Sequence, residues 1–315
     1  MPRGAAHGRF IDFHAHLRGK SEIAPPEMPR FPLLHRAAEW FEPLVYEGVG
    51  LFARFGRHRA LTTIYPHFTG VGFNELVRQF HKYQAAELVR SMDDAGIARS
   101  VVLAIEPFLK TLEILDAIAP FRERFAVFCS VDPEDPDFAA HFEAYWRTGM
   151  VRGLKIHPAL AGPVPTSARM FELVALAERY DMPVIIHTGT FPFPLVEGTN
   201  NALSLEPVIK AFPRVPIVLA HIGWDQHEHV LALGRDYENV YTDTSWQPPH
   251  IIRRAIATLG VARVMFGSDF PLFRQSTALE TLRAALHADE LAPVGYENAE
   301  RLLARARLPD APSAA

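Results

Sequence analysis

The sequence predicts an α/β protein that folds as a (β/α)8 barrel of the TIM type. Short apolar segments bounded by turn residues recur eight times along the chain, and stretches with the spacing of amphipathic helices lie between them. Alternating strands and helices indicate a parallel sheet, and eight strands suit a closed barrel. The 315 residues, nearly half of them apolar, provide enough core for a single domain over residues 1–315.

Each candidate strand is an apolar run that ends in polar or turn residues. The runs are 10–17, 100–106, 125–132, 152–158, 183–189, 216–223, 240–245 and 264–271. Candidate crossover helices include 80–95, 138–147, 167–180, 202–212 and 249–259. The alternative fold is a doubly wound open sheet, but the first turn lacks the Gly-x-Gly-x-x-Gly pattern typical of that class.

Residues 18–74 interrupt the alternation of strands and helices and are rich in proline and aromatic residues. We interpret the segment as an insertion on the loop after the first strand, where barrel enzymes keep their active sites. It is a candidate lid or pocket wall, or a contact in a homodimer. Fewer than about 60 residues would need a core of their own, so a separate domain is not expected.

Composition and charge narrow the classes of partner. The net charge is −4 and the charges are well mixed, which predicts neither a nucleic-acid surface nor a cationic helix for membranes. The sequence has no apolar run of the roughly 18 residues that would span a membrane, and its start does not resemble a secretory signal. We therefore expect a cytoplasmic protein, and we expect its substrate to be a small molecule. The single cysteine, Cys129, lies in an apolar run and is expected to be a packed strand residue.

Polar side chains interrupt the apolar runs at one end only. They are His14 and His16 on the first run, Lys155 and His157 on the fourth, His187 on the fifth, His221 on the sixth and Asp269 on the eighth. The carboxyl ends of barrel strands converge over the axis, so these residues are expected to lie close together. One such histidine is more often a hydrogen-bonded rim group, but several imidazoles with a carboxylate predict a metal site.

Five motifs stand in order along the chain. They are Asp12-Phe13-His14-Ala15-His16, Gly153-Leu154-Lys155-Ile156-His157-Pro158, Ile186-His187-Thr188-Gly189, Ala220-His221-Ile222-Gly223 and Phe266-Gly267-Ser268-Asp269-Phe270-Pro271. The chain resembles the amidohydrolase superfamily, and within it the amidohydrolase-2 group of metal-dependent TIM-barrel hydrolases and decarboxylases. The resemblance covers nearly the whole chain apart from the insertion.

The resemblance implies roles for these residues. His14, His16 and His187 would bind a divalent ion, and Asp269 would be a further ligand that also handles the proton of the attacking water. His221 would be an acid/base or polarising group beside it. Zinc takes few imidazole and carboxylate ligands and lowers the pKa of its water to about 7, so one Zn²⁺ is expected ahead of Mn²⁺.

Three residues have open roles at this point. Asp12 would orient a metal ligand or make hydrogen bonds at the barrel rim. Lys155 would be a carboxylated bridge if the site held two metals, as in some superfamily relatives. We favour substrate contact, or support of the metal ligands, for both Lys155 and His157.

The resemblance implies either of two reactions on the same ligands. One is hydrolysis of an ester, lactone or amide of a small organic acid by metal-activated water, and the other is non-oxidative decarboxylation of an aromatic or unsaturated acid. The turn after His221 lacks the Gly-Glu that often follows in decarboxylases, which favours hydrolysis. A barrel that binds metal and ligand without turnover is the third hypothesis. The aromatic segment 191–194, with Trp246 and Arg274, is a candidate substrate contact.

Overall fold

The computed structural model describes residues 10–17, 84–190, 196, 198–199 and 201–309. The predicted insertion at 18–74 and the predicted aromatic segment at 191–194 lie outside these residues. Among the described residues, no helix combines the length and the apolar character needed to cross a membrane.

Eight parallel strands form one sheet in which each strand pairs with the next along the chain. They are β1 (Phe10–Ala15), β2 (Ile97–Leu103), β3 (Phe125–Cys129), β4 (Val151–Ile156), β5 (Val184–Ile186), β6 (Ile217–Leu219), β7 (Val240–Asp243) and β8 (Val264–Met265). The (β/α)8 barrel predicted from the sequence is confirmed.

The barrel closes where β1 meets the segment that follows β8. The amide of Phe13 donates to the carbonyl of Phe266 at 2.8 Å, and the amide of His16 donates to the carbonyl of Phe270 at 2.7 Å. In the opposite direction, the amide of Asp269 donates to the carbonyl of His14 at 2.7 Å. Closure therefore brings the residues at the end of β1 directly beside Asp269.

Helices cover the outside of the barrel. They are α1 (Ala85–Ala95), α2 (Thr111–Ile118), α3 (Phe138–Arg147), α4 (Pro158–Ala161), α5 (Ala168–Arg179), α6 (Glu206–Ala211), α7 (His227–Asp236), α8 (Pro249–Leu259), α9 (Gln275–Ala285) and α10 (Asn298–Leu303). The bounds of α3 and α8 are those predicted from the sequence. The sequence analysis did not single out α2, α7 and α9.

Helix α5 shows why the sequence period produces these crossovers. The side chain of Ser167 caps the helix by accepting a hydrogen bond from the amide of Met170. Met170, Leu173, Val174 and Ala177 recur three or four residues apart and are all buried. One apolar face therefore packs on the sheet.

The inside of the barrel is an apolar plug that lies beneath the polar strand ends. Its members from the strands, and from the position directly after β6, are Ile11, Phe13, Val101, Leu103, Ala126, Phe128, Ile185, Val218, Ala220 and Met265. Phe13 and Phe128 meet edge to face, with ring centroids 5.4 Å apart. On β5 and β6 the sequence continues from this plug into His187 and His221, which lie just past the paired residues. The site thus has a dry, packed floor.

Gly153 is required by the packing of Phe128. A Cβ atom at Gly153 would lie 2.4 Å from Cε2 of the Phe128 ring, which is fully buried. We expect Gly153→Ala to lower the free energy of unfolding by about 1–3 kcal/mol because the ring has no room to move. Urea denaturation measures this loss. Combining it with Phe128→Leu should cost less than the sum of the two single losses, and strict additivity would contradict the packing argument.

Cys129, the predicted packed cysteine, is fully buried at the end of β3. Burial raises the pKa of its thiol far above the ordinary range, which suppresses the reactive thiolate. We expect a thiol-specific disulfide reagent to leave the native protein unmodified and to label one thiol per chain after denaturation in guanidinium chloride. Rapid labelling of the folded protein would show that Cys129 is accessible.

Candidate metal centre

Six of the predicted site side chains are buried at the carboxyl end of the barrel. They are His14, His16, Lys155, His157, His221 and Asp269, each at most 6% exposed. His187 lies beside them and is partly exposed. Ligand atoms of His14, His221 and Asp269 all lie within 4.8 Å of one another, so these three form a group with metal-site geometry.

Asp269 joins His14 and His16. Its Oδ1 lies 3.5 Å from Nε2 of His14 and 3.3 Å from Nε2 of His16. Burial alone would raise the pKa of Asp269, but the neighbouring His14, His16 and His221 hold it well below its usual range. Asp269 is therefore an ionised acceptor at neutral pH.

The other nitrogen of each imidazole fixes its tautomer. Nδ1 of His16 lies 2.9 Å from the carbonyl oxygen of Leu103, which only accepts, so this nitrogen carries a proton. Nδ1 of His14 lies 3.0 Å from Oδ2 of Asp243. Burial raises the pKa of Asp243, but the electrostatic effect of His14 and its hydrogen bond outweigh burial and lower the pKa of Asp243 to about 2. His14 therefore also donates through Nδ1.

Three acceptors consequently converge on one point. In their neutral forms His14 and His16 aim Nε2 lone pairs at the ionised Oδ1 of Asp269, an arrangement that is repulsive unless a cation lies between them. A proton is disfavoured on His16, because burial lowers the pKa of that imidazole. A divalent metal ion is the cation that two imidazoles and a carboxylate bind, so the donor set fits a metal.

Asp243, which the sequence analysis missed, organises the centre. Its Oδ2 accepts from His14, while its Oδ1 accepts a short hydrogen bond from the Ser245 hydroxyl and a second one from the Ser245 amide at 3.1 Å. Ser245 Oγ lies 2.7 Å from Nδ1 of His221. Because the Ser245 proton points to Asp243, the His221 Nδ1 donates to Ser245. One carboxylate therefore orients two histidines.

A signal for Asp243 was present in the sequence. The seventh predicted strand, 240–245, ends in Asp243-Thr244-Ser245, the same strand-end polar position that identified the other site residues. Gly267 supplies the room for this carboxylate, since a Cβ there would lie 2.9 Å from Oδ1 of Asp243 and 3.1 Å from the His14 Cβ.

His221 and His187 meet through their ring nitrogens. Nε2 of His221 lies 3.2 Å from Nδ1 of His187, and the His187 ring stacks on His157 with centroids 4.0 Å apart. Burial lowers the pKa of His221 to about 3 and those of His187 and His157 well below the usual range. All three imidazoles are therefore neutral at physiological pH, the form that ligands and proton acceptors need.

The turn that carries His221 is left-handed. His221, Ile222 and Gly223 have φ values of 61°, 46° and 76°, although a β-branched residue such as Ile222 rarely adopts this region. Side chains from β7 hold the turn, since the Ile222 amide donates to Oγ1 of Thr242 at 3.1 Å and the His221 amide to Asp243 at 3.4 Å. Strain of this kind persists where surrounding contacts impose it, typically at functional sites.

Asp12 acts on the centre through the backbone. It is fully buried and accepts from the amide and hydroxyl of Ser268 at 2.9 and 2.6 Å, from Gln275 at 2.7 Å and from the His14 amide at 3.2 Å. Simple strand alternation would place Asp12 and His14 on the same face, but a register shift in β1 lies between Asp12 and Ala15. Burial raises the pKa of Asp12 to about 6 against these hydrogen bonds.

Lys155 and His157 lie on the β4 side of the centre. Nζ of Lys155 has no hydrogen-bond partner among the described residues. Burial lowers the pKa of Lys155 to about 8, and the charges of Asp269 and Asp243 oppose this shift. Nδ1 of His157 accepts from the Leu160 amide at 3.3 Å.

Aromatic side chains form a wall next to Asp269. Trp246 Nε1 donates to Oδ2 of Asp269 at 2.5 Å, which leaves Oδ1 facing the histidines. The Trp246 ring stacks on Trp224 at 4.9 Å and contacts Phe273 at 5.7 Å between centroids. Trp246 was one of the sequence candidates for substrate contact, and the structure places it at the candidate centre.

The family profile for amidohydrolases of the Amidohydro_2 type matches residues 11–305. The protein is a member of the amidohydrolase-2 family. This agrees with the motifs at the strand ends and with the barrel itself. A comparison with curated proteins found no match.

Solved structures similar to this amidohydrolase share its fold. A TIM-barrel protein of Bordetella bronchiseptica is 18% identical with a TM-score of 0.67, covering 94% of this chain and 99% of that chain. An amidohydrolase of Burkholderia multivorans with bound zinc is 18% identical, with a TM-score of 0.60 and coverage of 96% and 100%. A dihydroxybenzoic acid decarboxylase of a Polaromonas species with bound manganese is 15% identical, with a TM-score of 0.61 and coverage of 94% and 97%.

We expect Asp243→Asn to weaken zinc binding about 10–100-fold, the usual cost of losing a carboxylate that orients a metal-binding histidine. An asparagine side chain has one acceptor oxygen, so it cannot accept from both His14 and Ser245. Competition with a chromophoric chelator measures the dissociation constant. Asp236→Asn, at an exposed position of α7, is the matched control. An affinity within twofold of wild type would contradict the role of Asp243.

Proposed function

We propose that this protein is a metal-dependent hydrolase that cleaves an ester, lactone or amide of a small organic acid. The observation that carries the proposal is the convergence of the Nε2 atoms of His14 and His16 on Oδ1 of the ionised Asp269. A base beside a cation site is what hydrolysis at neutral pH requires.

The proposed ligands are His14, His16, His187 and Asp269. His221, grouped with His14 and Asp269 by distance, lies close enough to act on a molecule at the same position. A bound divalent ion would supply Lewis acidity and lower the pKa of water. Imidazole-rich ligation favours zinc ahead of manganese, and the similar Burkholderia and Polaromonas proteins bind one of these metals each.

Asp269 is proposed as the base. Its low pKa keeps it ionised, and Trp246 holds Oδ2 so that Oδ1 faces the reacting water. Asp269 takes one proton from water while the remaining hydroxide adds to the carbonyl carbon. It then delivers that proton to the departing alcohol or amine, which balances the reaction.

His221 is proposed as a proton acceptor. Its Nδ1 donates to Ser245, which leaves the lone pair on Nε2 facing His187 and the centre. Among the roles that the family resemblance implies, this hydrogen-bond pattern favours acid/base chemistry over donation to an oxyanion, since an Nε2 without a proton cannot donate.

Decarboxylation of an aromatic acid is the second candidate. The aromatic wall of Trp224, Trp246 and Phe273 beside Asp269 suits a ring, and the similar Polaromonas protein is a decarboxylase. That reaction needs an acid that protonates carbon as carbon dioxide leaves. At neutral pH Asp269 is ionised and His221 is neutral, so both begin as proton acceptors rather than donors, and we therefore place hydrolysis first.

We expect hydrolytic turnover of a panel of esters, lactones and amides by the zinc-loaded protein, its loss with EDTA and its recovery when zinc is returned. Asp269→Asn should lower kcat about 10²–10⁴-fold, because an amide accepts no proton. Product formation is measured together with metal content and circular dichroism, and His14→Ala/His16→Ala serves as the metal-free reference.

Three results would contradict this assignment. Release of carbon dioxide from aromatic acids without hydrolysis of any panel member would favour the decarboxylase. Ligand binding without turnover of either panel would favour a non-catalytic barrel. Unchanged kcat in Asp269→Asn would remove Asp269 from the reaction.

A further inference from the structure

Lys155 is a buried cation to which no described residue offers a hydrogen-bond acceptor. Its side chain is 1% exposed, and Nζ has no hydrogen-bond partner among the described residues. Its strand neighbours Leu154 and Ile156 belong to the outer core, while Gly153 faces Phe128 inside the barrel. Alternation along β4 therefore directs Lys155 into the barrel. Buried ammonium groups are unfavourable unless an anion or several acceptors surround them.

The electrostatic neighbours of Lys155 are the side chains of the metal centre. The charges of Asp269 and Asp243 act on it, and its own charge acts on His157, His187 and His221. Lys155 therefore shares one desolvated space with the proposed reaction site. Asp12, the third buried carboxylate of this region, is engaged with Ser268 and Gln275.

The donors of the Lys155 ammonium are unmet among the described residues. The two carboxylates that act on its charge have other partners. Asp243 accepts from His14, and Asp269 accepts from Trp246. An anionic group that enters the site would pair with the ammonium and satisfy the unused donors of Nζ.

We propose that Lys155 binds the carboxylate of the substrate, so that the enzyme selects small carboxylic acids that also carry the bond to be cleaved. This inference rests on the proposed metal-dependent hydrolase, because the site that Lys155 faces is the proposed metal centre. A carboxylate presents two acceptor oxygens to the ammonium and forms charge-assisted hydrogen bonds with it. Lys155 is thus a specificity-determining residue.

A second role for Lys155, predicted from the sequence, is a carboxylated bridge between two metal ions, and in that role the side chain is negatively charged. Addition of carbon dioxide to Nζ, with loss of a proton, would produce a carbamate able to bridge two metal ions. That product would place a negative charge on Lys155 and a second metal ion in the centre, so the two roles predict different metal contents and opposite responses to carboxylate ligands.

The test is equilibrium binding to zinc-loaded protein by isothermal titration calorimetry. The probes are formate, acetate and benzoate, each paired with its uncharged amide. We expect at least one carboxylate to bind wild type and to bind Lys155→Met about 10–100-fold more weakly, the range for loss of a charge-assisted hydrogen bond. Amide affinities and zinc content should not change. Lys155→Gln is the second variant, and Lys210→Met, exposed on α6, is the matched control.

Several outcomes would overturn the proposal. The first is equal carboxylate affinity in wild type and both Lys155 variants, and the second is no binding of any carboxylate to wild type. The third is a carbamate signal from isotope-labelled bicarbonate, together with loss of one of two metal ions in Lys155→Met. Binding is measured without turnover. Lysine-dependent binding in a protein that fails the hydrolysis panel would therefore reject the proposed reaction and keep the carboxylate site.

Discussion

The centre depends on the hydrogen bonds that the carboxylate of Asp243 accepts. It accepts from His14 with one oxygen and, through Ser245, orients His221 with the other. Both histidines are thereby held with a proton on Nδ1, which turns their Nε2 lone pairs toward the centre. Asp243 can accept both hydrogen bonds because its carboxylate is ionised, and its pKa of about 2 keeps it ionised across the physiological pH range.

Closure of the barrel supplies the second constraint. The hydrogen bonds between β1 and the segment after β8 place Asp269 next to His14 and His16. Asp269 has a φ of 63° and His221 a φ of 61°, so both proposed catalytic residues lie in strained turns. Contacts from neighbouring strands hold these turns, and this rigidity would position the proposed base and proton acceptor within reach of one molecule.

Burial gives the centre its electrostatic character. The centre lies above the apolar plug and beside the aromatic wall, and there His221 is neutral while Asp243 and Asp269 are ionised. Nζ of Lys155 has no hydrogen-bond partner among the residues that the structure describes. In a buried medium charges interact more strongly than in water. The proposed substrate is therefore an acid whose carboxylate binds Lys155.

The sequence by itself determined the barrel, its strands and the strand-end residues, because short apolar runs and their polar ends are local patterns. The hydrogen-bonded strands β5, β6 and β8 end before His187, His221 and Asp269. Tertiary contacts therefore position these three side chains. The register shift between Asp12 and Ala15, and the pairing of Asp243 with His14, also required the structure. The contacts of His14 with Asp243 and of Asp12 with Ser268 join residues more than 200 positions apart in the sequence. Closure of the barrel brings these residues together.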